Sequence, residues 1–235
     1  PPHPGELHLD LLCWIGLMSR SLTSLAATLD QPDDTKTYQR HLTNIVTNLD
    51  VLHWSPQDSV YCDATIDAYD EHTTVCHKGY ISLFPMMTNL LPHDHKNIPA
   101  ILDLIASKDD LWSLYGIRSL STKDELYGTD ENYWRSPIWV NMNYLVVKAL
   151  HDLAVSKTAT KAVKAKSAKM YEELRQNLVN NVVKQWKDTG FAWEQYNPDT
   201  GAGQRTQHFT GWTSLVTLIM AMPDVGIEGI SHGEL

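Results

Sequence analysis

Apolar residues recur at intervals of three and four from Asp10 to Leu29, at Leu11, Trp14, Ile15, Met18, Leu22, Leu25 and Leu29. That is the period of a helix burying one face. A second stretch from Thr35 to about Trp54 places Tyr38, Leu42, Ile45, Leu49 and Leu52 on one side. Between them Asp30-Gln31-Pro32-Asp33-Asp34 stops one helix and caps the next, which predicts a helical hairpin. From Ser55 to Gly79 the pattern becomes polar and irregular, a long excursion with a short hairpin in it. Helical spacing returns at Tyr80–Leu91 and Asn97–Ser107. Asp109 to Arg135 then reads as loop, rich in Gly, Ser, Tyr, Trp and charge. Ser136-Pro137 predicts an N-cap and a first helical position, opening a helix from Ile138 to about Val155. Its partner runs from about Thr158 to Lys187, and Thr210–Met222 closes the series. Pro1 to Gly5 and the tail after Pro223 read as loop.

The plan is all-α: hairpins joined alternately by short turns and by long aromatic, polar loops. No stretch alternates β and α as a parallel sheet requires, and G-x-G-x-x-G, G-x-x-x-x-G-K and G-x-S-x-G are all missing. Loops gathered at one end of a helical array build a deep pocket. About seven helices would be roughly half of a twelve-helix toroid.

Composition narrows the partners. The chain of 235 residues is 43% hydrophobic and 20% charged with net charge -9, a globular protein without the clustered cations that nucleic acid needs. Its basic run, Lys157 to Lys169, reads as a solvated helix face. No apolar run approaches the ~20 residues of a membrane span. The opening Pro1-Pro2-His3-Pro4-Gly5 resembles the middle of a longer protein rather than a signal peptide. Of Cys13, Cys62 and Cys76 at least one is unpaired. The preferred reading is three free thiols, with a Cys62–Cys76 bridge as the alternative in an oxidising compartment.

Candidate chemistry centres on Phe191 to Trp212, where Glu194 stands between Trp193 and Tyr196 before a turn-rich segment. Rings flanking a carboxylate suit sugars, whose apolar faces stack while their hydroxyls need acceptors. Asn197-Pro198-Asp199 and Gly201-Ala202-Gly203 put that carboxylate at the rim of an element. Glu6 and Asp10 lie four apart, and a helix beginning near Gly5 would project both from one face at its N-terminus. Arg118, Arg135 and Arg205 are lone cations in loops, suited either to sugar hydroxyls or to tying loops together. His72, Cys76 and His77 lack a second ligand cluster, so no metal site is expected.

These residues carry a resemblance. Glu6-Leu7-His8-Leu9-Asp10-Leu11-Leu12-Cys13-Trp14 is similar to the E-R-H-x-D-L-R-C-W signature of glycoside hydrolase family 63, the processing α-glucosidase I family. Tyr115 to Ser121, Glu131 to Tyr144 (E-N-Y-W-R-S-P-I-W-V-N-M-N-Y) and Glu194 to Gly203 (E-Q-Y-N-P-D-T-G-A-G) resemble that family in the same order. Leu7 and Leu12 depart from it, standing where the signature usually has arginines. The four motifs span residues 6 to 212, and the resemblance implies that residues 1–235 are the C-terminal part of a fungal-like catalytic domain. It implies an (α/α)6 barrel and, with inversion, removal of the terminal α-1,2-linked glucose from the Glc3Man9GlcNAc2 N-glycan of nascent glycoproteins. The implied setting is the endoplasmic reticulum lumen, in a parent protein with an N-terminal membrane anchor, and no cofactor is implied. Glu194 matches the general base and Glu6 and Asp10 the pair shaping the substrate site. Trp14, Arg118, Trp134, Arg135, Trp193, Tyr196 and Trp212 are candidates to face or support the sugar. The family's acid, an Asp in a G-L-D-D-Y-P-R-like segment, would precede this chain, so the fragment alone is expected to be inactive. Two other readings fit the residues: a non-catalytic carbohydrate-binding helical domain, and another inverting hydrolase on the same barrel, such as a trehalase or glucoamylase.

Overall fold

A computed structural model describes residues 5–226. The loops read at Pro1–Pro4 and beyond Gly226 lie outside the described residues. The chain divides into two compact units, one through Ile101 and one from Leu102.

In the first unit, α1 (Leu9–Thr28) and α2 (Pro32–His53) form the expected hairpin. Pro32 takes the first helical position of α2, with Asp33 and Asp34 in its first turn rather than at its cap. The buried face of α1 is not the one its large residues mark. Cys13, Gly16, Ser19 and Ala26 face inward, whereas Leu11, Trp14, Ile15, Met18, Leu25 and Leu29 are exposed. At Gly16 the packing is close: a Cβ there would lie 2.8 Å from Leu90 Cδ1 and 3.2 Å from Ile45 Cγ2, so glycine fits that point of the seam, while Leu9 at the start of the helix is also fully buried. With large apolar residues on the other side too, α1 is long and apolar enough to cross a membrane by length and composition, contrary to the sequence reading.

The excursion after α2 holds two hairpins, β1 (Trp54–Ser55) with β2 (Val60–Tyr61) and β3 (Asp63–Ile66) with β4 (His72–Val75). Cys62 and Cys76 are joined by a disulfide, correcting the expectation of three free thiols; Cys13 alone is free. Burial pushes the Cys13 thiol up to about 12, so it behaves as a small hydrophobe. Helix α3 (Tyr80–Met87) is almost wholly buried, and α4 (Ile98–Ala106) follows. Where Asn97 precedes α4, its amide donates to the Tyr61 hydroxyl at 3.0 Å and to Asp50 Oδ1 at 3.2 Å.

The second unit is built on α5 (Val140–Ala154) and α6 (Lys161–Thr189), which pack along each other. Their inner surface is Val146, Val147, Leu150, Leu174 and Leu178, each 1% exposed or less. Thr160 caps α6 by accepting from Val163 N, and Gly190 ends it at φ +78°. Helix α5 starts at Val140, not at Pro137. Ile138 instead exchanges backbone hydrogen bonds with Tyr196, 2.9 and 3.1 Å long, and a backbone paired that way cannot enter the helix. A 3-10 turn at Trp212–Leu215 leads into the short α7 (Val216–Ala221).

Candidate active site

Glu194 lies between the end of α6 and β5 (Gln195–Tyr196), which pairs with β6 (Gly203–Gln204). Its amide donates to Thr206 O at 3.0 Å, and the Thr206 amide donates back to Glu194 Oε2 at 3.3 Å. The Tyr133 hydroxyl donates to Oε1, and Trp212 Nε1 donates to the Glu194 carbonyl at 2.8 Å. Three loops thus converge on one residue, which is only 8% exposed.

Two opposing effects set its charge. Burial pushes the carboxyl up, but hydrogen bonds from Tyr133 and Thr206, with the Arg205 guanidinium nearby, outweigh it and hold Glu194 below its ordinary 4.5. The group is therefore an ionised acceptor at neutral pH. Tyr133 responds in the opposite sense: its bond to Glu194 first, then burial, push the phenol above 10.0, so it remains a donor.

An aromatic cluster is joined to Glu194 through Tyr133, which bonds its carboxylate, and Trp212, which bonds its carbonyl. Trp134 stacks on Trp139 with centroids 3.7 Å apart and planes 3° from parallel. Tyr133 meets Trp139 edge-on at 4.7 Å, and Trp212 lies 5.2 Å from Trp139 on a tilted plane. Trp139 is fully buried at 1% exposure, whereas Trp134 is 50% exposed, so the buried indole supports an accessible one. A half-exposed ring next to the tyrosine that bonds an ionised carboxylate suits the amphipathic surface of a pyranose.

Gly203 lets the hairpin close. A Cβ there would come within 2.1 Å of Trp193 Cγ, so the indole packs directly on the glycine backbone. Trp193 Nε1 donates to Thr189 Oγ1 at 3.1 Å. Tyr196, 1% exposed, accepts from the Trp193 amide at 3.4 Å and supports the loop from inside. Arg205 holds φ +64°, uncommon for a residue with a side chain, and pairs with Glu131 while its guanidinium lies 5.4 Å above the Tyr133 ring.

Among the sequence-derived candidates, Glu194, Trp134, Trp193, Tyr196 and Trp212 come together. Arg135 instead ties down its own loop through Thr129 Oγ1 at 3.1 Å and Asp130 Oδ2 at 2.9 Å. Arg118, 9% exposed, donates to the carbonyls of Lys108 and Trp112 and lies 3.7 Å from Asp199. With Trp112, Tyr115 and Pro198 it lines a separate cavity of about 350 Å³. Glu6, Asp10 and Trp14 belong to the first unit. There the helix begins at Leu9, so Glu6 and Asp10 do not share a helix face. Leu7 forms an isolated antiparallel bridge with Ala64, and Asp63 Oδ1 accepts from Leu9 N at 2.8 Å, capping α1 from outside. Asp10 accepts from the Leu11 amide at 2.7 Å, and Trp14 packs edge-on against Phe84 at 5.4 Å.

Sequence reasoning missed Tyr133, Trp139 and Thr206 as individual residues. The first two lie inside the Glu131–Tyr144 block, but nothing in local spacing distinguishes a ring that bonds a residue 61 positions away.

Residues 1–222 match the glycosyl hydrolase family 63 C-terminal domain, and the chain belongs to that family. A probable mannosyl-oligosaccharide glucosidase of Schizosaccharomyces pombe is 47% identical over 94% of this chain and 27% of its own length. The mannosyl-oligosaccharide glucosidase of Saccharomyces cerevisiae is 40% identical, with the same coverage. The chain therefore spans about a quarter of the length of these relatives. Among solved structures, the family 63 mannosylglycerate hydrolase of Thermus thermophilus in complex with glucose superposes with a TM-score of 0.66 at 18% identity, over 92% of this chain and 48% of that one. The fold is that of an (α/α)6 barrel, of which this chain is a part.

Proposed function

We propose that these residues are the C-terminal part of the single catalytic domain of an inverting exo-α-1,2-glucosidase, with Glu194 as its general base. Its substrate is the Glc3Man9GlcNAc2 N-glycan of nascent glycoproteins, from which it removes the terminal α-1,2-linked glucose. The observation that carries this reading is the buried carboxylate held ionised by Tyr133 and the Thr206 amide, with the half-exposed Trp134 next to Tyr133. The substrate rests on the names of the two fungal relatives.

Inversion needs two carboxyl groups roughly 6.5–9.5 Å apart, leaving room for a water between the base and the sugar. Ionised Glu194 takes a proton from that water, whose oxygen attacks the anomeric carbon on the face opposite the leaving group. An acid protonates the departing glycosidic oxygen. Family resemblance assigns that acid to an Asp in a segment preceding Glu6, outside these 235 residues. Trp134 and Trp212 suit the apolar face of the sugar, while Trp193 and Tyr196 hold the loop of the base. The Glu6–Trp14 motif, with Arg118 and Arg135, completes the binding residues by resemblance.

The Cys62–Cys76 disulfide supports an oxidising compartment, in keeping with the endoplasmic reticulum lumen. A single-pass anchor in the parent protein rests on resemblance alone.

The test is Glu194→Gln in the full-length protein, with the released anomer followed by NMR on the glucosylated glycan. Wild type is expected to release β-glucose. The variant should lose at least roughly 10²–10⁴-fold in turnover while keeping glycan affinity. Ordinary turnover in the variant rules out the base assignment, and a wild type that binds the glycan without releasing glucose makes this a binding domain.

A further inference from the structure

We infer that Tyr133 is a positioning residue, whose phenol fixes the rotation of the Glu194 carboxylate so that one lone pair of the base is aimed at the attacking water. The inference rests on Glu194 being the base. A carboxylate turns about a broad, roughly two-fold terminal torsion and offers about four acceptor positions. One donor leaves that torsion loose, whereas two donors on different oxygens from different directions fix it. Here Tyr133 Oη donates to Oε1 and the Thr206 amide donates to Oε2 at 3.3 Å. The two donors stand on separate loops, one before α5 and one after β6.

Tyr133 is itself held at several points. Its carbonyl accepts from Trp139 Nε1 and from Gln195 Nε2, both at 3.1 Å. Its ring meets Trp139 edge-on, and Arg205 lies over its face while bonding Glu131 and Asn132 of the same loop. Gln195 is fully buried and adjoins the base in sequence. The peptide that carries Glu194 thus also grips the backbone of the residue that orients it, so base and donor move as one body. A neutral phenol suits this task. Its proton stays bound at the pH where the base works, so it favours the carboxylate without competing for the proton from water.

The experiment compares wild type, Tyr133→Phe and Glu194→Gln of the full-length protein, with kcat and KM for the glucosylated N-glycan measured across pH. Phenylalanine keeps the ring edge on Trp139 and both bonds to the residue 133 carbonyl, and a thermal melt checks the fold. Tyr133→Phe is expected to lower kcat roughly 10–100-fold with little change in KM, the value of one hydrogen bond to a charged group. Removing a donor from the ionised form also shifts the acid limb of kcat/KM to higher pH. Incorporating 3-fluorotyrosine at position 133, a stronger donor of almost the same shape, should move that limb to lower pH even if the phenylalanine variant folds poorly. An unmoved acid limb, or a rise in KM with kcat intact, overturns the inference and leaves Tyr133 as an aromatic contact. Activity surviving in Glu194→Gln is a separate failure, of the base assignment itself.

Discussion

The Glu6–Trp14 segment and the loops around Glu194 each set carboxylates near tryptophan in sequence, yet they are held in opposite ways. Glu194 is buried, with donors on both carboxylate oxygens, and one of those donors, Tyr133, packs against a stacked pair of indoles. Asp10 is half-buried and bonds its neighbour's amide, and Trp14 makes one edge contact while remaining 42% exposed. The lesson concerns burial. A carboxylate taken out of water stays ionised only when donors replace its hydration, and that requirement orders everything around it. Half-buried Asp10 accepts from the neighbouring amide of Leu11, and the start of α1 is set instead by Asp63, which accepts from Leu9 N.

The sharpest way to break the contrast is to remove the two tryptophans in turn. Trp139→Ala is expected to cost about 3–5 kcal/mol, because a fully buried indole under Trp134, Tyr133 and Trp212 leaves a cavity that cannot collapse. Trp14→Ala should cost about half of that or less, since much of its ring already meets solvent. Urea unfolding of the two variants, followed separately in each unit, checks the ratio. Equal losses would erase the distinction.

A somewhat smaller effect is expected in the first unit, where Leu7 bridges to Ala64 of β3, close in sequence to the Cys62–Cys76 link. Replacing both cysteines by serine opens a loop of about 15 residues, worth about 3 kcal/mol in the chain-entropy account. Hydrogen exchange at the Leu9 amide, bonded to Asp63 of the same hairpin, should accelerate with it. Unchanged protection would mean that α1 holds the segment unaided.

The smallest effect separates the regions by pH. Because the Glu194 carboxyl is held below its ordinary 4.5 in the folded protein, the stability it adds is fully present above that value. It is lost as pH falls through the depressed folded value. The stability difference between wild type and Glu194→Gln should therefore narrow below about pH 4.5. A difference constant with pH would mean that the carboxylate and amide are held equally well.

Much of the fold was legible residue by residue. Period and breakers located both hairpins, with Pro32 at the first position of α2 and Thr160 near the predicted start of α6. The aromatic loop around Glu194 was legible too, because turn formers and a lone carboxylate among rings are local signals. Less legible were the ends. Ser136-Pro137 carries an N-cap pattern that goes unused, since Ile138 is claimed by the distant Tyr196. The start of α1 read at Asp10 falls one residue from the observed Leu9, whereas a start near Gly5 is ruled out because Leu7 is claimed by Ala64.

What the sequence determined by itself was therefore the helical plan and the family, both carried by residues near one another in the chain. Tertiary structure alone decided which face of α1 is buried, which cysteines pair, and that Tyr133 and Thr206 share the two oxygens of Glu194. The physical reason is range. Periodicity and capping act over about one or two helical turns, whereas these outcomes depend on groups that only packing brings within bonding distance.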